Sequence, residues 1–216
     1  MRTDDLIAEL EADLQPVSPL PAAEQRLLVW LALSVPYLAA IVAIDGLSKD
    51  LGQRLAEPRF LLEQGAALAT ALLAGYACLN ASIPGRPAWL TGLPFLTLAV
   101  WLGSLGQGCW QSWLAFGASG LMLENDWTCV PSIVLGSLLP AATLVVMLRK
   151  GLIFLPKMAL LLAALASAGL AEIALRLHHP VDSSLVVLVW HGGIVFVLAL
   201  LGRALGPWVL KTACPS

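Results

Sequence analysis

Between Arg86 and Glu124 the chain carries no charged residue. A stretch of that length and composition has no stable place in water, but it is long enough to cross a bilayer core, for which roughly 20 apolar residues suffice. The rest of the 216 residues agrees: 59% are hydrophobic and 12% charged, against about 45–50% apolar and ~25% charged in soluble domains. Too few polar side chains remain to cover a water-facing surface, so much of the exterior must face lipid. The same numbers exclude a disordered, collagenous or coiled-coil chain. The formal net charge of −2 supplies no basic field, and no nucleic-acid partner is expected.

Six apolar runs of near-spanning length can be marked, at residues 27–44, 66–83, 89–106, 133–148, 155–174 and 185–205. A helix satisfies its own backbone hydrogen bonds in lipid, and the alternating ten-residue segments of a barrel are missing. The fold class expected is therefore an all-α membrane protein, a bundle of six transmembrane helices. Pro36, Pro94 and Pro140 fall inside three runs and read as kinks tolerated in a packed bundle. With the N-terminus inside, Arg2, Arg26, Arg86, Arg149, Lys150, Lys157, Arg203 and Lys211 face the cytoplasm. Lys49, Arg54, Arg59 and Arg176 then lie outside, eight against four, which favours the N-in, C-in orientation. Trp30, Trp89 and Trp208 fall near the inner interface and Trp101, Trp110, Trp113, Trp127 and Trp190 near the outer one, as an aromatic belt would. Residues 113–123 are too short for a seventh crossing and read as interfacial or re-entrant. The first run begins behind an acidic segment and lacks a small-residue cleavage site, unlike a signal peptide.

Residues 1–26 form the one sizeable polar stretch and hold six of the 14 acidic residues: Asp4, Asp5, Glu9, Glu11, Asp13 and Glu24. Thr3 suits an N-cap, Asp4 and Asp5 favour the positive end of a helix dipole, and Pro16 stops the helix after about three turns. Leu6, Ile7, Leu10 and Leu14 share one face, while Asp5, Glu9 and Asp13 recur every four residues beside it. Pro16, Pro19 and Pro21 make a stiff spacer before the membrane. So short a helix is marginal alone, and its apolar stripe needs a surface to rest on. That surface is either the bilayer and the bundle's inner loops or a basic partner bound in helix-in-groove fashion. The acidic rim argues against an anionic leaflet.

Cys109 and Cys129 fall in an outer loop expected over 107–132, Cys78 in the second run and Cys214 in the inner tail. Cys109 and Cys129 either form a disulfide or stay as two thiols. The last outer loop, Arg176-Leu-His-His-Pro-Val-Asp-Ser-Ser, holds His178, His179 and Asp182, with His191 about two turns into the final helix. This is the densest group of metal-ligand residue types in the chain, but it matches no standard zinc spacing. Interfacial histidines bonded to loop carbonyls are the simpler reading. Glu172 and His191 are the notable ionisable groups within the helices, and a structural hydrogen bond accounts for them most simply. No phosphate-binding loop, nucleophile elbow, HExxH pair or dinucleotide turn occurs, so no enzyme is expected, and the acidic residues avoid the midplane sites a transporter would use.

Several pieces are nonetheless specific in combination. Arg2-Thr-Asp-Asp-Leu-Ile-Ala-Glu-Leu with Pro16-Val17, Ser82-Ile-Pro-Gly85, Cys129-Val-Pro131, and Leu177-His178 followed by Pro180, Asp182, Ser183 and Trp190-His191 together resemble the NrsF (negative regulator of sigma F) family over nearly the whole chain. The resemblance implies an anti-sigma factor of the Gram-negative inner membrane that holds an extracytoplasmic-function sigma factor inactive. Thr3, Asp4, Asp5, Leu6, Ile7, Glu9, Leu10, Asp13 and Leu14 are then the partner-binding residues. The family pattern also has two outward cysteines, one matching Cys129 and one after the Leu-His pair, where this chain has His179. A Cys129 disulfide to the last loop is thereby out of the question. Either Cys109 takes over as the thiol partner, or Cys129 with His178, His179 and His191 forms a thiolate/imidazole site for a soft or borderline metal, or the sensing role is lost; the metal-type site is preferred. No resident cofactor is expected, a transition or heavy metal ion entering only as a signal.

The expected organisation is a cytoplasmic sigma-binding segment (1–26), a six-helix membrane domain (27–210) and a cytoplasmic tail (211–216). The alternatives are a small transporter or a structural subunit of a membrane assembly.

Overall fold

A chain whose side chains are mostly apolar satisfies its backbone by forming helices, and the computed structural model is helical throughout, with no strand among the described residues. It describes residues 3–12, 19–81, 83, 85–123, 125, 127–151, 153–179 and 183–210. A short helix α1 (Thr3–Ala12) precedes the bundle. Six long helices follow: α2 (Ala23–Asp45), α4 (Pro58–Asn80), α5 (Leu93–Phe116), α6 (Cys129–Leu148), α7 (Pro156–His178) and α8 (Ser184–Val209). All six are long and apolar enough to cross a membrane, α5 and α8 as parts of longer helical stretches, and the chain reads as a multi-pass membrane protein. A one-turn α3 (Leu51–Arg54) lies between α2 and α4.

The centre is α7. Ala159, Ala163, Ala166, Ala168, Ala171 and neighbouring leucines are buried all round it, because small side chains let helices approach closely where apolar lipid offers no net drive for association. The approach of α8 is closest at Gly202 and Gly206, where an added Cβ would run into the carbonyls of Leu160 and Pro156. Trp30 of α2 is fully buried and its Nε1 donates to the Pro140 carbonyl of α6 at 3.0 Å. Tyr37 Oη donates to the Leu135 carbonyl at 2.7 Å.

At one end of the bundle Arg26, buried at the start of α2, donates through Nη2 to the Leu79 carbonyl near the C-terminus of α4 at 2.9 Å. Nearby, Tyr76 Oη donates to Glu24 at 2.9 Å and Arg149 Nε to the Val209 carbonyl at 3.0 Å. The start of α2 and the end of α8 share this end, called here the N-terminal face.

The structure redraws several boundaries. α4 begins eight residues before the apolar run, because Pro58 is pre-organised for the first helical turn and needs no N–H partner there. Pro36 and Pro140 lie inside α2 and α6, but Pro94 lies in the first turn of α5 and is a boundary rather than a kink. The helix continues through 107–116, so Cys109 sits on α5 and not in a loop. Gly117, at φ +60°, ends α5. The 3-10 turn Gly117–Leu121 then folds back until Gly120 meets the Ser112 carbonyl. Trp30 and Trp101 are core side chains, not belt residues, whereas Trp89, Trp110, Trp113, Trp127 and Trp208 are exposed as a belt requires.

Candidate functional site

Two regions carry polar chemistry: α1, and the bundle face opposite the N-terminal one.

Thr3 lies within α1 rather than capping it from outside, and Asp4 and Asp5 occupy its first turn. There the helix dipole favours negative charge. Thr3, Asp4, Asp5, Leu6, Ile7 and Glu9 are all exposed, Leu6 by 40% and Ile7 by 48%. Leu10 lies on the same helix at the next position of the stripe. Asp13 and Leu14, expected to extend that stripe, lie outside the described residues. A helical apolar stripe with acids beside it is therefore present, and the bundle's own loops do not bury Leu6 or Ile7.

On the opposite face the ends of α3, α4, α7 and α8 meet. Glu63 of α4 is buried and bridges two guanidiniums: Arg59 Nε donates to its Oε1 at 3.0 Å and Arg176 Nη2 of α7 to its Oε2 at 3.1 Å. Arg59 Nη2 also donates to Ser184 Oγ at 2.6 Å and to the Ser104 carbonyl at 3.3 Å. Gly108 of α5 leaves the room the Arg59 guanidinium occupies, which any Cβ there would overlap. Arg54 lies over the Phe60 ring at 4.5 Å and donates to the His179 carbonyl at 3.1 Å. These arginines pin α3, α4, α5 and the α7–α8 turn together. None of Arg54, Arg59, Glu63 or Arg176 was singled out as a site residue from the sequence. The signal that could have found the first pair was Arg59 and Glu63 four residues apart, one helical turn, just after Pro58.

The histidines and cysteines divide differently from the expected metal set. His178 turns to the Ala174 carbonyl, 3.0 Å from Nδ1, and lies 3.6 Å from Asp45 through Nε2. His179 Nε2 lies 3.5 Å from Thr128 Oγ1, and its ring stands edge-on to His191 with centroids 6.1 Å apart. His191 ends a π-helical turn, Val187–His191, within α8. Its Nδ1 is 3.0 Å from Glu172 Oε1 of α7, with both side chains buried. A structural hydrogen bond was expected for these two groups, and the structure makes them each other's partner. Cys129 is buried as the first residue of α6, next to Thr128. Hence His179 and His191 are neighbours, and Thr128, the residue before Cys129, reaches His179, while His178 is engaged elsewhere. Among the described residues no three His, Cys, Asp or Glu side chains converge as metal ligands do, and the four-residue set is not assembled. No disulfide joins Cys78, Cys109 and Cys129 to one another, so the Cys109–Cys129 disulfide alternative is not formed here. Asp182 and Cys214 lie outside the described residues.

The family model NrsF, negative regulator of sigma F, matches residues 10–211. No curated protein and no solved structure matches the chain.

Proposed function

Because the chain belongs to the negative regulator of sigma F family, a family of regulators rather than enzymes, we propose that it holds an extracytoplasmic-function sigma factor inactive at the cytoplasmic membrane through α1. The observation that carries this reading is the uncovered stripe of α1, Leu6 and Ile7 exposed beside Asp4, Asp5 and Glu9. A ten-residue helix is marginally stable in water, and a partner groove that buries the stripe while presenting basic side chains to its rim supplies what the helix lacks. Leu10, Asp13 and Leu14, assigned to the same stripe and rim by helical spacing in the sequence, are proposed as part of the contact. An anionic lipid leaflet would repel the rim. The regulator reading is favoured by family membership over a small transporter or a structural subunit.

In this reading the N-terminal face is cytoplasmic, as the distribution of basic residues favours, and release follows a signal received on the opposite face around Cys129, His179 and His191. The test is co-purification and a promoter reporter for a sigma factor encoded beside the protein. Deleting residues 1–20 should release the factor and raise transcription while the bundle still inserts, since the deletion leaves all six long helices intact. Retained binding after the deletion would refute the proposal. For the signal, Cys129→Ser and His179→Ala should each blunt the response to heavy metals or oxidants; an unchanged response in both would refute sensing through these residues.

A further inference from the structure

The face opposite the N-terminal one holds a polar cavity of about 490 Å³, lined by Arg54, Arg59, Glu63, Arg176, Ser112 and Ser184 among others. Three guanidiniums (Arg54, Arg59, Arg176) and three carboxylates (Asp50, Glu57, Glu63) line it, but of the carboxylates only Glu63 is buried. Glu63 is the one carboxylate ion-paired with both Arg59 and Arg176 among the described residues, so the triad carries a surplus positive charge. Asp50 and Glu57 also line the cavity, but both are exposed, and water and salt screen charges so placed.

The donors are also in surplus. A guanidinium presents five N–H groups. Among the described residues, the hydrogen bond of Arg176 is the single one to Glu63, complemented by its place 5.4 Å from the Phe60 ring centre. Its side chain is 8% exposed and borders the cavity, so its remaining donors have the cavity to face rather than bulk water. Arg59 reaches the same space from α4, and the hydroxyls of Ser112 and Ser184 add neutral donors from α5 and α8. A buried guanidinium from α7 and a half-buried one from α4, backed by hydroxyls from two more helices, suit an oxyanion with several acceptor oxygens, which arginine engages in bidentate fashion.

We propose that this cavity binds a phosphate group, held by Arg176 and Arg59. The group belongs either to a phospholipid headgroup or to a soluble phosphate compound. Either supplies the second negative charge that the Arg59–Glu63–Arg176 triad lacks.

The test is thermal unfolding of the full-length protein in neutral detergent, followed through tryptophan fluorescence. One arm titrates inorganic phosphate against chloride at equal ionic strength. The other adds phosphatidylglycerol to the micelle, with phosphatidylcholine as the control. A ligand of the folded state raises the unfolding temperature in proportion to its occupancy. A rise with inorganic phosphate points to a soluble source, and a rise with phosphatidylglycerol alone points to the headgroup. Two variants then pull in opposite directions. Arg176→Gln should abolish the rise. Glu63→Gln, which frees both guanidiniums from their competing carboxylate, should tighten apparent binding by about tenfold, the order expected for removing a unit charge a few ångströms away in a partly screened site. Damage to packing weakens binding in both variants and cannot produce that opposition. No rise with either probe, a rise retained in Arg176→Gln, or weaker binding in Glu63→Gln would each overturn the proposal.

Discussion

Replacing His191 by leucine should destabilise the bundle far more than replacing His191 and Glu172 together. The side chains of His191 and Glu172 are 0% and 2% exposed and meet at 3.0 Å, while Glu172 Oε2 is buried with no hydrogen-bond partner among the described residues. Glu172 therefore depends on His191 for its side-chain hydrogen bond among the described residues. Removing the imidazole leaves a carboxyl in the packed interior of α7 without that partner, and breaking a buried pair from one side costs about 3–5 kcal/mol. At about 2–4 °C per kcal/mol for a chain of this size, the melting temperature should fall on the order of 10 °C. His191→Leu with Glu172→Leu removes both polar groups at similar volume, and such replacements are near neutral or stabilising. Thermal unfolding of the two single variants and the double variant in one detergent gives the coupling as a double-mutant cycle. A double variant whose loss equals the sum of the two single losses, meaning a coupling near zero, would refute the claim that the pair matters as a pair.

The other expectations concern packing, access and topology. Gly206→Val places a branched side chain against the Pro156 carbonyl and should cost about 1–3 kcal/mol or more, whereas Gly193→Ala, with open space around the new Cβ, should be neutral or stabilise by up to about 1 kcal/mol; parallel thermal melts compare them. Gly108→Leu should expel the Arg59 guanidinium from its place beside Ser184 and Ser104, reproducing by melt the destabilisation of Arg59→Met, with no further loss when the two are combined. In the native protein a maleimide should modify Cys109, which is partly exposed, well before Cys78 and Cys129, which are buried; equal rates read by mass spectrometry would contradict that packing. A cysteine placed at Thr3 in a background lacking the native cysteines should react with a membrane-impermeant reagent only after the cells are opened, and labelling of intact cells would reverse the proposed orientation.

Much of the architecture was legible before any tertiary contact was known. Composition alone required lipid as the solvent, and the six apolar runs all became long helices, because hydropathy and length are properties of a local window. The stripe of Leu6, Ile7 and Leu10 beside Asp5 and Glu9 was likewise a matter of helical spacing.

Other features depend on partners far apart in the chain. A hydropathy window treats Arg59 and Glu63 as residues that seek water, and so it begins the second span too late. In the fold Glu63 is met by Arg176, 113 positions away, and a charge neutralised across helices is compatible with burial in a way that no local window registers. Trp30 resembles a belt residue in sequence, yet the Pro140 carbonyl, 110 positions on, lets its indole N–H be buried without penalty. His178 and His179 are neighbours in sequence, but they sit at the end of α7, where one side chain turns to Asp45 and Ala174 and the other to Thr128 and His191. The sequence by itself determined the solvent, the number of spans and an acidic amphipathic helix ahead of them, because these follow from local composition and period. Only the tertiary structure decided which scarce polar groups are paired and where arginines from separate helices gather around one cavity, because an ion pair is defined by the position of two side chains and not by the identity of either one.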